Sequence, residues 1–484
     1  MKSYRLFIAT AILLVMMGSC SESIMNEIDR NPNQVNDAPL NTRLPQATMG
    51  YVKAVAGSSS NRLTSYYVEH HTNVLGMGGI YNTMTSYNSG GWSGAYAALN
   101  DMKLLKEKAI AAEAWGYAGI ADVLTAYSYA NLVDLYGDIP MSEALQAGVI
   151  RQPKFDNAQD IYKNLQSILD EAVGNLDKGA TAPVKPGSDD LVFAGNMTSW
   201  KKTAYALKIR LFNRLSNADP VASANNVLSL LEKSFVNETE GFVFKQYAEN
   251  RNFENPYSGA QQSQPEFAMG NGIYNALAWF SSSSNVEDDP RTAIWFSRIS
   301  GAVKPAPNGL AGGDFGEPRL DGRFYSKPAV LKLLNSPQPL ATYAELKYIE
   351  AEAQLRLGNR TAAYAAYQVA VQTSLKQASL FNPATALSND KINAYLALPK
   401  VSPSAAQLTL RHILLQKYIY LFYDQPLEAY NDVRRELFMV ITDPSGLANR
   451  VPYPDSELTR NPQVPKNVNL TTLFDPSTKL FWAK

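Results

Sequence analysis

The stretch "YIEAEAQLRLGNRTAAYAAYQVAV", Tyr348 to Val371, decides how the chain is read. It carries small residues at Ala351, Gly358, Ala363 and Ala370, at successive spacings of 7, 5 and 7. Small side chains let two helices approach, and a glycine between them supplies the turn. The stretch therefore reads as a helical hairpin that is closely packed within each arm and tightly turned at Gly358.

This spacing looks like a tetratricopeptide repeat, whose small positions fall inside the first helix, at the turn and on the second helix. A looser copy runs from Ala130 through Gly137 to Ala144, its turn lengthened by "DIPM". Working outward, "EAWGYAGIADVLTAYSYANLVDLYGDIP" (113–140) places Ile120, Val123, Leu124 and Tyr127 on one helical face. Pro140 stops that helix. The segment 158–176 has a stripe of Ile161, Leu165, Ile168, Leu169 and Ala172, and 197–217 is a third helix. The segment 412–437 is another helix pair, with Pro426 near its junction. Between the helical blocks, about 241–336 is rich in Gly, Ser, Asn, Pro and aromatic residues. It reads as a loop-rich insertion on a mostly α scaffold of about 43–240 and 337–484.

The start of the chain is of another kind. Lys2 and Arg5 precede an apolar run, Leu6 to Gly18. That run is shorter than the roughly 20 residues a bilayer span needs and fits an export signal over 1–19. Cys20, the single cysteine, follows Gly18 and Ser19. A lone thiol there reads as a lipobox cysteine that is alkylated and becomes the new N-terminus, although Met17 stands where leucine is usual. Residues 20–42 are polar and read as a tether from the lipid to the domain. A domain without internal disulfides must be held by burial, and 484 residues at 45% hydrophobic content allow a large core. Forty-four basic residues against 44 acidic ones give no electrostatic case for a nucleic-acid partner.

Catalytic and metal motifs do not emerge. His70 and His71 are adjacent and cannot easily face one metal, and His412 is remote in sequence. "GMGG" (76–79) lacks the context of a nucleotide loop, and "EDDPR" (287–291) reads as a turn rather than as paired carboxylates of a glycosidase. No cofactor or metal is expected, and the reading is of a binder rather than an enzyme. Tyrosine (27) exceeds phenylalanine (18), and a ring with a polar tip suits a half-wet groove. Aromatic faces beside amides suit a sugar, which has C–H groups on its ring face and hydroxyls at its edge. Two stretches combine them: one with Tyr81, Tyr87 and Trp92, the other with Tyr274, Trp279 and Phe280. Trp92 opens a helical run and reads as core. Trp279, before four serines, is expected to lie where a helix is poorly supported, while the i, i+5, i+6 spacing of Tyr274, Trp279 and Phe280 also fits a short buried helix.

Taken in order, "NPNQV" (31–35), "NLVDLYGDIPMSEAL" (131–145), "SWKKTAYALKIRLFNRLSN" (199–217), "AEAQLRLGN" (351–359), "QKYIYLFYDQPLEAYNDVRR" (416–435) and "RVPYPDSELTRNP" (450–462) resemble the SusD/RagB family of Bacteroidetes outer-membrane lipoproteins. The resemblance runs from Cys20 almost to the end. It departs in Met17 and in the Ala-Tyr pair of the third helix. It implies four tetratricopeptide-like helix pairs with a variable loop-rich part. It also implies a lipid-anchored position on the cell surface, and a partner, a SusC-like TonB-dependent transporter, to which a bound glycan is handed. Its RagB side allows a peptide instead. A tetratricopeptide envelope scaffold without a nutrient ligand, and a divergent glycosidase, are the rivals from other classes.

Overall fold

The computed structural model describes residues 38–56, 59–74, 79–146, 148–249, 254–255, 267–309, 324–329, 333–380, 383–422 and 424–483, with backbone alone for 59–60 and 79–90. The N-terminal half is a run of helices: α1 (Leu40–Ala56), α2 (Ser59–Tyr67), α3 (Gly79–Ala111), α4 (Trp115–Tyr136), α5 (Ala158–Gly179), α6 (Met197–Arg214) and α7 (Pro220–Leu230). After α8 (Asn271–Phe280) and α9 (Arg291–Trp295) come α10 (Tyr343–Arg356), α11 (Arg360–Gln377), α12 (Asn389–Leu396), α13 (Leu410–Tyr420), α14 (Pro426–Arg435) and α15 (Asp455–Arg460). The expected tether is shorter than 20–42, because α1 already begins at Leu40.

Four short strands stitch the loop-rich stretch to the scaffold. β1 (His71–Asn73) pairs antiparallel with β3 (Phe267–Met269), aligning Thr72 with Ala268. β2 (Gly241–Phe244) pairs antiparallel with β4 (Gln338–Thr342), with an irregularity between Phe242 and Val243. The described parts of 241–336 are therefore held by strand pairs whose partners lie in the scaffold sequence.

The hairpin that opened the reading is α10 and α11, which pack against each other. Thr342 caps α10 by accepting from the Glu345 amide at 3.3 Å. Ala351, Ala363 and Ala370 are fully buried. Gly358 has φ +80° and open space where a Cβ would stand, so the turn requires its left-handed backbone and not its small size. The looser copy departs further. α4 does end at Gly137, with φ +84°, but α5 begins only at Ala158, so Ala144 lies in the connection and not on a second helix. The third helix stops at Arg214 rather than Asn217.

α4 is buried on nearly every side, which one apolar stripe does not foretell. Its polar residues find partners instead of solvent. Asp122 meets Lys106 at 2.6 Å and Asn175 at 3.1 Å. Asp134 accepts from Arg214 at 3.1 Å, from Asn431 at 2.9 Å and from the Tyr162 hydroxyl.

Asp134 belongs to a larger buried network. Arg210, Arg214, Lys417 and Arg435 pair with Asp134, Glu345, Glu352, Glu428 and Asp432, and Arg434 lies beside them on the Asp134 backbone carbonyl and Asn431, all of them 9% exposed or less. Arg210 grips Glu345 with two parallel bonds of 2.9 and 2.7 Å and reaches Glu428 at 3.4 Å. Arg214 lies 2.6 Å from Glu428. Asp432 takes Lys417 at 2.8 Å and Arg435 at 3.0 Å. Arg435 also holds both oxygens of Glu352. Such two-pronged pairs are the strong kind, and they join α4, α6, α10, α13 and α14. A second sealed pair explains "EDDPR". Asp289 accepts from the Arg291 amide at 3.0 Å and from its guanidinium at 2.6 Å, and Arg291 also reaches Gln416 at 3.0 Å. Both partners are fully buried, so this carboxylate is closed to any substrate.

His70 and His71 are core residues. His70 packs on Tyr418 with ring centroids 4.3 Å apart, and His71 on Phe422 at 5.1 Å. Burial pushes the His71 imidazole down to about 3. Burial alone would raise the Glu352 carboxyl, but Arg435 and Arg356 overcome it and hold it at about 2. Both values lie below those of the unfolded chain, about 6.5 for His and 4.3 for Glu. The unfolded state therefore binds more protons as pH falls, and stability falls with it. Thermal melts are expected to show stability declining from about pH 6.5, as His71 protonates on unfolding, and more steeply from about 4.3 towards 2. Glu352→Gln, already neutral, is expected to lower stability at pH 7 and to flatten the steeper limb. An unchanged acid limb in that variant would contradict the pairing.

Candidate functional site

α8 carries the rings singled out in the sequence. It starts after Gly270, where the Asn271 amide is held by Asn308 Oδ1 at 2.9 Å. It ends at Phe280 because Ser281 turns extended (φ −84°, ψ 142°). The Ser281 hydroxyl then takes up the next turn, accepting from Ser283 N and Asn285 N and donating to Asp288 at 2.6 Å. The four serines thus terminate the helix rather than prevent it, and Trp279 is helical, not in a loop.

The inner face of α8 consists of Gly272, Ile273, Ala276, Leu277 and Phe280, all buried. Phe280 is fully enclosed, so its ring is not available to a ligand, a correction to the sequence reading. The outer arc carries Asn271, Tyr274, Asn275, Ala278 and Trp279, of which Asn275 is exposed and the others half-buried. At about 100° per residue, Tyr274 and Trp279 stand some 140° apart with Asn275 and Ala278 between them. Two rings therefore flank an amide.

The surroundings of Trp279 come from α13. His412 meets the indole edge-on at 4.9 Å, and Phe280 does so at 4.8 Å. The Arg411 guanidinium lies 5.3 Å from the indole centroid, a contact of about 0.5–1 kcal/mol at an exposed site. His412 is fixed by Thr409, whose hydroxyl lies 2.7 Å from Nδ1. Burial, and then Arg411, lower its basicity, which leaves Arg411 as the cation beside the ring.

Arg411 also lines a groove of about 530 Å³ with Leu437, Val440, Ile441 and Leu447. Leu437 is 76% and Val440 73% exposed, the most outward-facing aliphatic residues beside α8's partner helix. Sequence reasoning missed these residues, since an apolar run such as "LFMVI" reads as core. The segment after it is anchored by Glu69, which accepts from Thr442 Oγ1 at 2.9 Å and from Asp443 N at 2.7 Å.

The remaining candidates separate from this face. Tyr81 and Tyr87 fall on α3, but their side chains lie outside the described ones. Trp92 is core, as expected, with Tyr136 edge-on at 4.9 Å. Cys20 lies outside the described residues. A mostly apolar cleft beside Tyr51, Leu132, Leu135 and Leu427, with Arg210 and Glu428 at its wall, has about 50 Å³, too little for a sugar ring. Among the described residues no group of three or more His, Cys, Asp or Glu could hold a metal, and no helix is long and apolar enough to cross a membrane.

Comparison with solved structures supports this architecture. A SusD/RagB family protein from Bacteroides thetaiotaomicron is 24% identical and superposes with a TM-score of 0.78, covering 92% of this chain and 99% of its own. A chitin-binding SusD homolog from Flavobacterium johnsoniae is 18% identical with a TM-score of 0.72, covering 91% and 98%. A SusD homolog from Bacteroides vulgatus is 19% identical with a TM-score of 0.72, covering 91% and 97%. No curated protein matches the sequence. Residues 32–455 match the SusD-like family described as "Starch-binding associating with outer membrane", and over that span the chain belongs to it.

Proposed function

We propose that the protein is a cell-surface lipoprotein that binds a glycan and delivers it to a SusC-like TonB-dependent transporter in the outer membrane. The observation that carries the binding step is the outer arc of α8, where Tyr274 and Trp279 flank Asn275. Rings bury the C–H face of a sugar and amides bond its hydroxyls. The family's starch-binding description and the chitin-binding homolog support a glycan as the ligand class. A binder rather than an enzyme is supported by the closure of Asp289, one carboxylate of "EDDPR", against Arg291. Cys20, behind its apolar leader, is the proposed anchor.

Tyr274→Ala and Trp279→Ala are each expected to weaken glycan binding about fivefold, the equivalent of about 1 kcal/mol. Trp279→Ala is expected to cost less stability than the about 3–5 kcal/mol of a fully buried tryptophan. Titration with polysaccharides beside thermal melting checks both. Unchanged binding in both variants would place the platform elsewhere, with Tyr81 and Tyr87 on α3 as the next candidates.

Cys20→Ala is expected to release the protein from membranes into the soluble fraction of cells lacking the transporter. A variant that still sediments with outer membranes in those cells would contradict the anchor.

A further inference from the structure

The surface beside Trp279 is cationic as well as aromatic. Arg411 is exposed, and among the described residues it meets no carboxylate; it lies against the indole face of Trp279. Lys400, at the C-terminal end of α8, donates to the Ser281 carbonyl at 2.9 Å and likewise meets no carboxylate among the described residues. Glu287 and Asp288, the acids that follow α8 in sequence, are engaged by Arg298 and by Ser281 and Asn285 respectively. Lys163 pairs with Asp160 and Lys376 with Glu238, whereas other exposed cations, such as Lys53, Lys185 and Lys466, meet no acid among the described residues either. What distinguishes Arg411 and Lys400 is their place, one on the Trp279 indole and the other at the end of the helix that carries it.

The geometry at Trp279 favours a ligand that brings its own charge. Arg411 covers one face of the indole, while His412 and Phe280 meet it edge-on. A neutral sugar stacking on the covered face must displace the guanidinium. A sugar bearing an anionic group leaves it in place and adds a charge-assisted bond to its outward N–H groups, with the planar fork matched to two oxygens. The adjoining groove, with Leu437 and Val440 beside Arg411, offers apolar surface next to that fork.

We infer that the ligand of this face is an anionic glycan, one bearing carboxylate or sulfate groups, and that Arg411 is the residue that reads the charge. The inference rests on the glycan-binding reading above and narrows it to a substrate class. Matched pairs test it: oligogalacturonate against its methyl ester for the carboxylate, and chondroitin sulfate against its desulfated form for the sulfate. Each is titrated into the full-length protein at low and high salt. At least one charged member is expected to bind about tenfold or more tightly than its neutral counterpart, and to weaken as salt rises. Arg411→Gln is expected to erase that difference, and Arg411→Lys to restore part of it, with thermal melting little changed because Arg411 is exposed and loses only its contact with the indole. Equal binding within both pairs, or a preference that survives Arg411→Gln, overturns the inference. Binding of neutral glycans that Trp279→Ala weakens and Arg411→Gln does not would overturn it while leaving the aromatic platform intact. Failure to bind any glycan, charged or neutral, overturns the inference together with the platform.

Discussion

Ten charged side chains inside the helical core constrain everything else in the molecule. Five cations and five carboxylates from α4, α6, α10, α13 and α14 sit at 9% exposure or less. Taking such ions out of water is costly, and the pairing offsets that cost only when each charge meets its partner at close range. The arrangement that achieves this is narrow. Arg214 needs Glu428 and Asp134 together, Asp432 needs Lys417 and Arg435, and Glu352 needs Arg435 and Arg356. A packing in which one helix slides by a turn leaves a bare charge in an apolar interior. An aliphatic core of the same volume tolerates many packings. The network therefore specifies how distant parts of the chain meet.

That specification reaches the proposed ligand face through α13. Within its last turns, Gln416 receives Arg291, Lys417 reaches Asp432, and the Tyr418 hydroxyl bonds the Val68 carbonyl at 2.6 Å. Three successive residues are thus tied to three different parts of the molecule. The other end of the same helix presents Arg411 and His412 to Trp279. Binding surfaces built on rigid elements hold their geometry better than those on loops. Here a helix pinned in the core carries the cation, and a second helix carries the rings.

The hairpin at 343–377 was legible because its signal is local: small residues at fixed spacing and a glycine that must adopt positive φ. The helix boundaries at Tyr136, Arg214 and Pro426 were close for the same reason. The charges of "KIRLFNR" and "QPLEAYNDVRR" were not legible as core, since a charged residue on a helix is ordinarily a solvated one. Only the folded arrangement shows that Arg210, Arg214 and Arg435 meet acids supplied from as far away as Asp134 and Glu345. These stretches are among those that carry the family resemblance. At the candidate face, sequence proximity suggested three rings acting together. Helical geometry divides them, because Phe280 falls on the inner face and Tyr274 and Trp279 on the outer one. Arg411 could not be found from the sequence, since nothing local distinguishes it from any other exposed arginine.

The central claim is that mutual pairing of buried charges holds the helices in place, and a double-mutant cycle on Glu352 and Arg435 tests it most directly. With both removed, as Glu352→Leu and Arg435→Met, Asp432 keeps Lys417 and Arg356 keeps Glu436. Each single variant leaves a buried charge one ionic partner short, Arg435 with Asp432 alone or Glu352 with Arg356 alone, and is expected to cost about 3–5 kcal/mol in denaturant unfolding. The double variant is expected to cost less than the sum of the singles by about 2 kcal/mol or more. Costs that add to within about 0.5 kcal/mol would show that the two residues contribute independently and would contradict the claim.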